Sequence, residues 1–171
     1  NGISLTLNRG DRIALVGRNG CGKSSLLKLL IGQPIAHTGT LEIGSRLTVS
    51  YVPQDMSFLS GSADDFAAES EIDITLFKTI LRKLDFKRTQ FTKDMSEFSM
   101  GQKKKVLLAR SLCQRANLYI WDEPLNYIDV ISRLQIETLI LEYKPTMLFV
   151  EHDEAFVNDI ATKVCRISLN Q

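Results

Sequence analysis

The chain has 171 residues, 44% hydrophobic and 24% charged, with 21 Lys and Arg against 20 Asp and Glu for a formal charge of +1. This length and apolar share suffice for one sizeable core, and the near-neutral balance gives no global reason to invoke nucleic acid or a membrane surface. Cys21, Cys113 and Cys165, odd in number and without CxxC pairing, indicate neither a disulfide framework nor a zinc site, and no apolar run reaches the roughly 18–20 residues of a membrane span.

The chain opens without Met on an alternating stretch, Ile3, Leu5 and Leu7, and is read as a piece of a longer polypeptide with reduced thiols in a cytoplasmic setting. Residues 12–16 (RIALV) form a short apolar run bounded by Gly and Asp, the pattern of a buried parallel strand, and residues 22–31 then show helical period. Residues 40–44 and 47–52 alternate more loosely and are expected to form a small, partly antiparallel region. Further helices are predicted at 74–84, 101–114, 131–142 and 154–161, and further strands at 118–121 (LYIW) and 146–150 (TMLFV). Strands alternating with helices imply an α/β fold with a mainly parallel sheet covered on both faces.

Composition shifts sharply in the middle. Residues 55–77 carry six acids and no Lys or Arg, whereas residues 78–105 carry nine basic residues against three acids. This marks an inserted helical segment, about 55–115 with the helix at its end, and its charges are either a solvated surface or a contact face.

Residues 17–24 (GRNGCGKS) fit GxxxxGK[ST] and sit between the first strand and the first helix, the context that a P-loop requires. Gly17, Gly20 and Gly22 let the backbone turn its N–H groups inward, with Asn19 and Cys21 in the same loop and the helix adding its positive end. Lys23 is expected to reach the β- and γ-phosphates of a nucleotide, and Ser24 to ligate Mg²⁺, with Ser25 capping or packing beside it. The strand at 118–121 runs into Asp122 and Glu123, where Asp122 is placed to hold Mg²⁺ and Glu123 to activate the attacking water. Pro124 then stops the ladder.

Gln54 in VPQD, residues 98–102 (FSMGQ), residues 122–129 (DEPLNYID) and His152 in EHD together resemble the ordered motifs of ATP-binding cassette domains, over residues 12 to about 168. The resemblance implies a P-loop NTPase that binds Mg-ATP and hydrolyses it when paired with a second cassette. Gln54 is similar to the glutamine that senses Mg²⁺ and water, although alone it reads as a polar loop residue. Ser99, Gly101 and Gln102 resemble the signature motif, which opens a helix facing the γ-phosphate of the opposite domain. Phe98 and Met100 depart from the usual LSGGQ. Asp129 resembles the aspartate that communicates across the pair, and His152 the switch histidine; a lone His after a strand is otherwise usually structural. The family's adenine-stacking aromatic would precede Asn1.

The ending of DEPLNYID, with FVEHDEAFV, resembles the ABC-F branch, and most of all the second cassette of ribosome protection proteins of the Vga and Lsa type. That branch implies partnership with a second cassette of the same polypeptide, or a homodimer, and with the ribosome. Lys78, Arg82, Lys83, Lys87, Arg88 and Lys93 are then candidate contacts to rRNA or ribosomal protein. The alternative is the nucleotide-binding subunit of an ABC transporter, docked on a membrane domain. A non-hydrolysing cassette is disfavoured by the presence of Glu123 and His152. Only 73 residues separate Ser25 from Ser99, without sustained heptads, which argues against a coiled-coil chromosome-maintenance ATPase.

Overall fold

The computed structural model describes residues 3–167; the expected domain limits, 1 and 171, lie outside them. Among the described residues five strands form one sheet: β1 (Arg12–Val16), β2 (Val49–Val52), β3 (Leu118–Asp122), β4 (Met147–Val150) and β5 (Lys163–Arg166), in the order β2-β3-β4-β1-β5. Every pairing is parallel. Six α-helices accompany them among the described residues: α1 (Lys23–Leu30), α2 (Ala63–Glu69), α3 (Ile74–Lys83), α4 (Met100–Cys113), α5 (Val130–Tyr143) and α6 (Glu154–Ile160).

Alternation along the strands divides the core in two. Ala14, Trp121, Met147 and Phe149 face a larger cluster with Phe77, Leu107, Ile136 and Phe156 of the helices. Ile13, Leu15, Ile120, Leu148 and Val150 face the other way, onto Leu27 of α1. Both faces are therefore covered, as the apolar strands require.

The acidic and basic stretches meet within the helical segment. Lys78 on α3 pairs with Asp64 on α2 at 2.7 Å, and edge-on contacts of Phe86 with Phe91 and Phe98 fill the turn that leads to α4. Side-chain caps set the helix starts: Ser62, Asp73, Asp129 and Asp153 each accept from a backbone N–H of the following turn.

The expected antiparallel region does not form among the described residues. Residues 49–52 instead enter the main sheet in parallel register with β3, burying Ser50 and Val52. Residues 40–44 make no strand in the described structure. Leu41, Ile43 and Leu47 stay exposed and, with Leu5 and Leu7, line an open groove of about 990 Å³.

Candidate active site

Strand register brings the motif residues together. Leu15 pairs with Val150, Val150 with Asp122, and Trp121 with Val52, so β1, β4, β3 and β2 end side by side. The next residues of those four strands are Gly17, Glu151, Glu123 and Pro53, at the carboxyl edge where open α/β sheets bind ligands.

Between β1 and α1 the loop 17–22 closes on itself, with Cys21 N donating to the Arg18 carbonyl. Gly22, at φ 93°, is the N-cap of α1 and offers no side-chain cap, so the helix's free N–H groups are left for an anion. Lys23 is buried, and its Nζ donates to the carbonyls of Gly17 and Arg18 at 2.8 and 3.1 Å. Its ammonium thus lies inside the loop, while Asn19, Gly20 and Ser25 are exposed and Cys21 is buried.

Asp122 is 2% exposed and its Oδ1 has no hydrogen-bond partner. Burial raises its pKa above the ordinary carboxylate value, opposed by a hydrogen bond from Ser24. Glu123 follows with φ 49°, a left-handed turn that a non-glycine residue adopts at a cost of about 1 kcal/mol or more. That turn lifts its carboxylate out of the strand line into a ring of three side chains. Gln54 Nε2 and Asn126 Nδ2 lie 2.9 and 2.5 Å from Oε2, and His152 Nε2 lies 3.4 Å from Oε1.

Ser99, Gly101, Gln102 and Asp129 gather elsewhere, around a pocket of about 250 Å³ shared with Lys87, Lys105 and Tyr127. Ser99 caps α4 and exchanges hydrogen bonds with Gln102 in a capping box. A Cβ on Gly101 would stand 2.5 Å from the Tyr127 carbonyl, so only glycine allows the helix start to approach this loop. Lys105 Nζ pairs with Asp129 at 2.6 Å, and Asp129 also caps α5. Among the described residues no side-chain hydrogen bond joins these four to the first group. The second group therefore forms a surface of its own, at the start of α4.

Residues 1–126 match the sequence model described as ABC transporter. The chain belongs to this family. Its domains are ATPases that bind ATP with Mg²⁺. YdiF of Bacillus subtilis (strain 168), named an ATP-binding protein, is 37% identical over 173 residues, covering 97% of this chain and 26% of that protein. The protein named ABC transporter F family member 2 of Arabidopsis thaliana is 30% identical, covering 98% of this chain and 26% of its own length. The chain therefore spans about a quarter of these relatives. Among solved structures, the complex of the archaeal ribosomal stalk protein aP1 with the archaeal ribosome recycling factor aABCE1 superposes with a TM-score of 0.76 at 27% identity, over 94% of this chain and 32% of that one.

The cassette's residues fit Mg-ATP. Among the described residues no three His, Cys, Asp or Glu side chains cluster to hold a metal by themselves. Magnesium needs no such cluster, because it takes most of its oxygens from phosphates and water. The unpaired Oδ1 of Asp122 and the neighbouring Ser24 hydroxyl provide the protein's share. Sequence reading named no role for three further residues. Asn126 lay within a quoted motif, but its side-chain contact with Glu123 depends on the turn at 123. Glu151 is buried and accepts from the N–H groups of His152, Asp153 and Leu125. Lys104 is fully buried in α4. Nothing in a run of three lysines marks the middle one as internal.

Proposed function

We propose that this cassette binds and hydrolyses Mg-ATP as one of a pair within an ABC-F protein that acts on the ribosome, protecting it from antibiotics. The observation that carries the catalytic part is the Glu123 carboxylate, gripped by Gln54, Asn126 and His152 beside the phosphate loop. Loop N–H groups and Lys23 bind the phosphates, and Ser24, Gln54 and Asp122 hold Mg²⁺, which when bound neutralises charge on the phosphate oxygens. Gln54 and His152 orient the attacking water, and Glu123 takes its proton as the bond between the γ-phosphorus and the bridging oxygen breaks, giving ADP and phosphate.

Pairing is supported by the second surface. Ser99, Gly101 and Gln102 present a helix start to solvent, where a partner's γ-phosphate fits. Beside it Tyr127, Val130 and Ile131 are 66%, 73% and 64% exposed, apolar area suited to burial against a second cassette. On this reading residues 1–171 are a fragment of one cassette domain within a longer two-cassette polypeptide, with about 55–115 as its helical subdomain and Asp129 communicating across the pair.

The ABC-F assignment rests on the DEPLNYID and FVEHDEAFV motifs and on the likeness to the F family member of Arabidopsis thaliana. No helix of the described residues is long and apolar enough to cross a membrane. The deciding experiment is co-sedimentation of the full polypeptide carrying Glu123→Gln with ribosomes. ATP-dependent co-sedimentation is expected of this variant, and rescue of translation in the presence of a ribosome-targeting antibiotic is expected of the wild-type polypeptide. Stable, ATP-binding protein that partitions with membranes instead would overturn the ribosomal reading and favour a transporter subunit.

A further inference from the structure

Lys104 is 0% exposed. A lysine so placed is rare, since a buried ammonium is costly unless it finds partners. Its partners are unusual. Nζ donates to the carbonyl of Pro53 at 3.2 Å and lies 3.5 Å from the carbonyl of Asp122. Pro53 immediately precedes Gln54, and Asp122 immediately precedes Glu123. One ammonium therefore touches the backbone just before both members of the pair whose side chains meet at 2.9 Å.

Charge explains why an ammonium is tolerated. Burial lowers the pKa of Lys104 below its ordinary value, and Asp122, Glu123 and Glu151, the first and last of them 2% and 5% exposed, oppose that shift. Lys23, the other buried lysine at this edge, spends its hydrogen bonds on the phosphate loop. Lys104 also lies in α4, whose N-cap is Ser99 and whose second residue is Gly101, within about one and a half turns of both, and a helix transmits displacement over that distance as a rigid body.

We propose that Lys104 is a positioning residue that fastens the start of α4 to the backbone carrying Gln54 and Glu123, so that a partner's nucleotide seated at Ser99 and Gly101 aligns this domain's own water-activating pair. The inference rests on the paired-cassette reading above. Lys104 touches no reacting atom; it acts through Gln54 and Glu123.

The test uses the full polypeptide with Lys104→Met, Lys104→Gln and Lys104→Arg, measuring Mg-ATP affinity by equilibrium dialysis, kcat and KM by phosphate release, and the thermal midpoint. In Lys104→Met, Kd and KM stay near wild type while kcat falls by about tenfold or more, the signature of lost alignment rather than lost binding. Lys104→Arg, which keeps the cation and its donors, recovers part of kcat. Adding Ser99→Ala to Lys104→Met costs little beyond the worse single variant, because both lie on one coupling route. Wild-type kcat in Lys104→Met overturns the proposal, as do additive losses with Ser99→Ala. If Lys104→Met does not fold, the other two variants decide by the same split, and failure of all three to fold makes Lys104 a support of the core and overturns it too. Lys23→Ala is run alongside: if it binds Mg-ATP like wild type, the reading of the site itself fails, whereas normal turnover in Lys104→Met strikes this proposal alone.

Discussion

Asn126 Nδ2 lies 2.5 Å from Glu123 Oε2, across a turn of only three residues. The contact exists because Glu123 takes a left-handed backbone and Asn126 N donates back to the Glu123 carbonyl, folding the chain over its own carboxylate. Of the three side chains that hold Glu123, Asn126 is the nearest in sequence and the one that needs no loop closure to arrive.

Replacing Asn126 by Ala removes one orienting donor and is expected to lower kcat by about tenfold with little change in nucleotide affinity. Asn126→Asp places a like charge against Glu123 and lowers kcat further. Steady-state phosphate release with a parallel binding titration checks both, and an unchanged kcat in each removes Asn126 from the site.

Glu123→Gln keeps the shape but cannot accept a proton, so turnover falls by about 10²- to 10⁴-fold while Mg-ATP still binds. In the paired protein it accumulates the closed, ATP-bound form, visible as a compact species by small-angle scattering. Residual turnover near wild type would show that another group is the base.

Gly101→Ala drives a Cβ to within 2.5 Å of the Tyr127 carbonyl, and backbone must move to relieve it. The expected cost is about 1–3 kcal/mol of stability, together with loss of turnover in the paired protein. Chemical denaturation and ATPase assays measure the two; full activity and stability would mean that the loop at 126–129 yields without consequence.

Asp129 gives a pH signature. Burial alone raises its pKa, but hydrogen bonds from Lys105 and Ser132 outweigh it and leave the carboxyl below its ordinary value of 3.8. The stabilisation is complete above that unfolded value and is lost as pH falls through the lower folded one. Asp129→Asn should therefore melt below wild type near neutral pH, with the gap closing below about pH 4. A gap that does not change with pH would assign the effect to the lost cap geometry alone.

The strands at 12–16, 118–121 and 146–150 were legible because they are buried on both faces and read as continuous apolar runs. β5 was not, since Lys163, Val164 and Arg166 are exposed and give neither a run nor an alternation. α2 was hidden in the acidic stretch, too short for its period to stand out, and it is held by the Ser62 cap and by burial of Ala63 and Ala67. Motif order pointed to Gln54, Asp122, Glu123 and His152 as candidates, and strand register places them at one edge. The contact of Asn126 depends on the left-handed turn at Glu123, that of Glu151 on the loop that brings Leu125 beside it, and that of Lys104 on Pro53 and Asp122 meeting across the sheet edge, none of which residue type alone encodes.

Trp121, the chain's single tryptophan, lies fully buried next to Asp122, with its indole N–H donating to Ser111 of α4 at 2.9 Å. The molecule thus carries an intrinsic optical reporter at the joint between the signature helix and the strand that ends in the acidic pair. Any rotation of α4 that loosens the Ser111 contact alters the hydration of that indole and shifts its emission. The rearrangement proposed for nucleotide seated at the start of α4 can therefore be sought in real time in unlabelled protein.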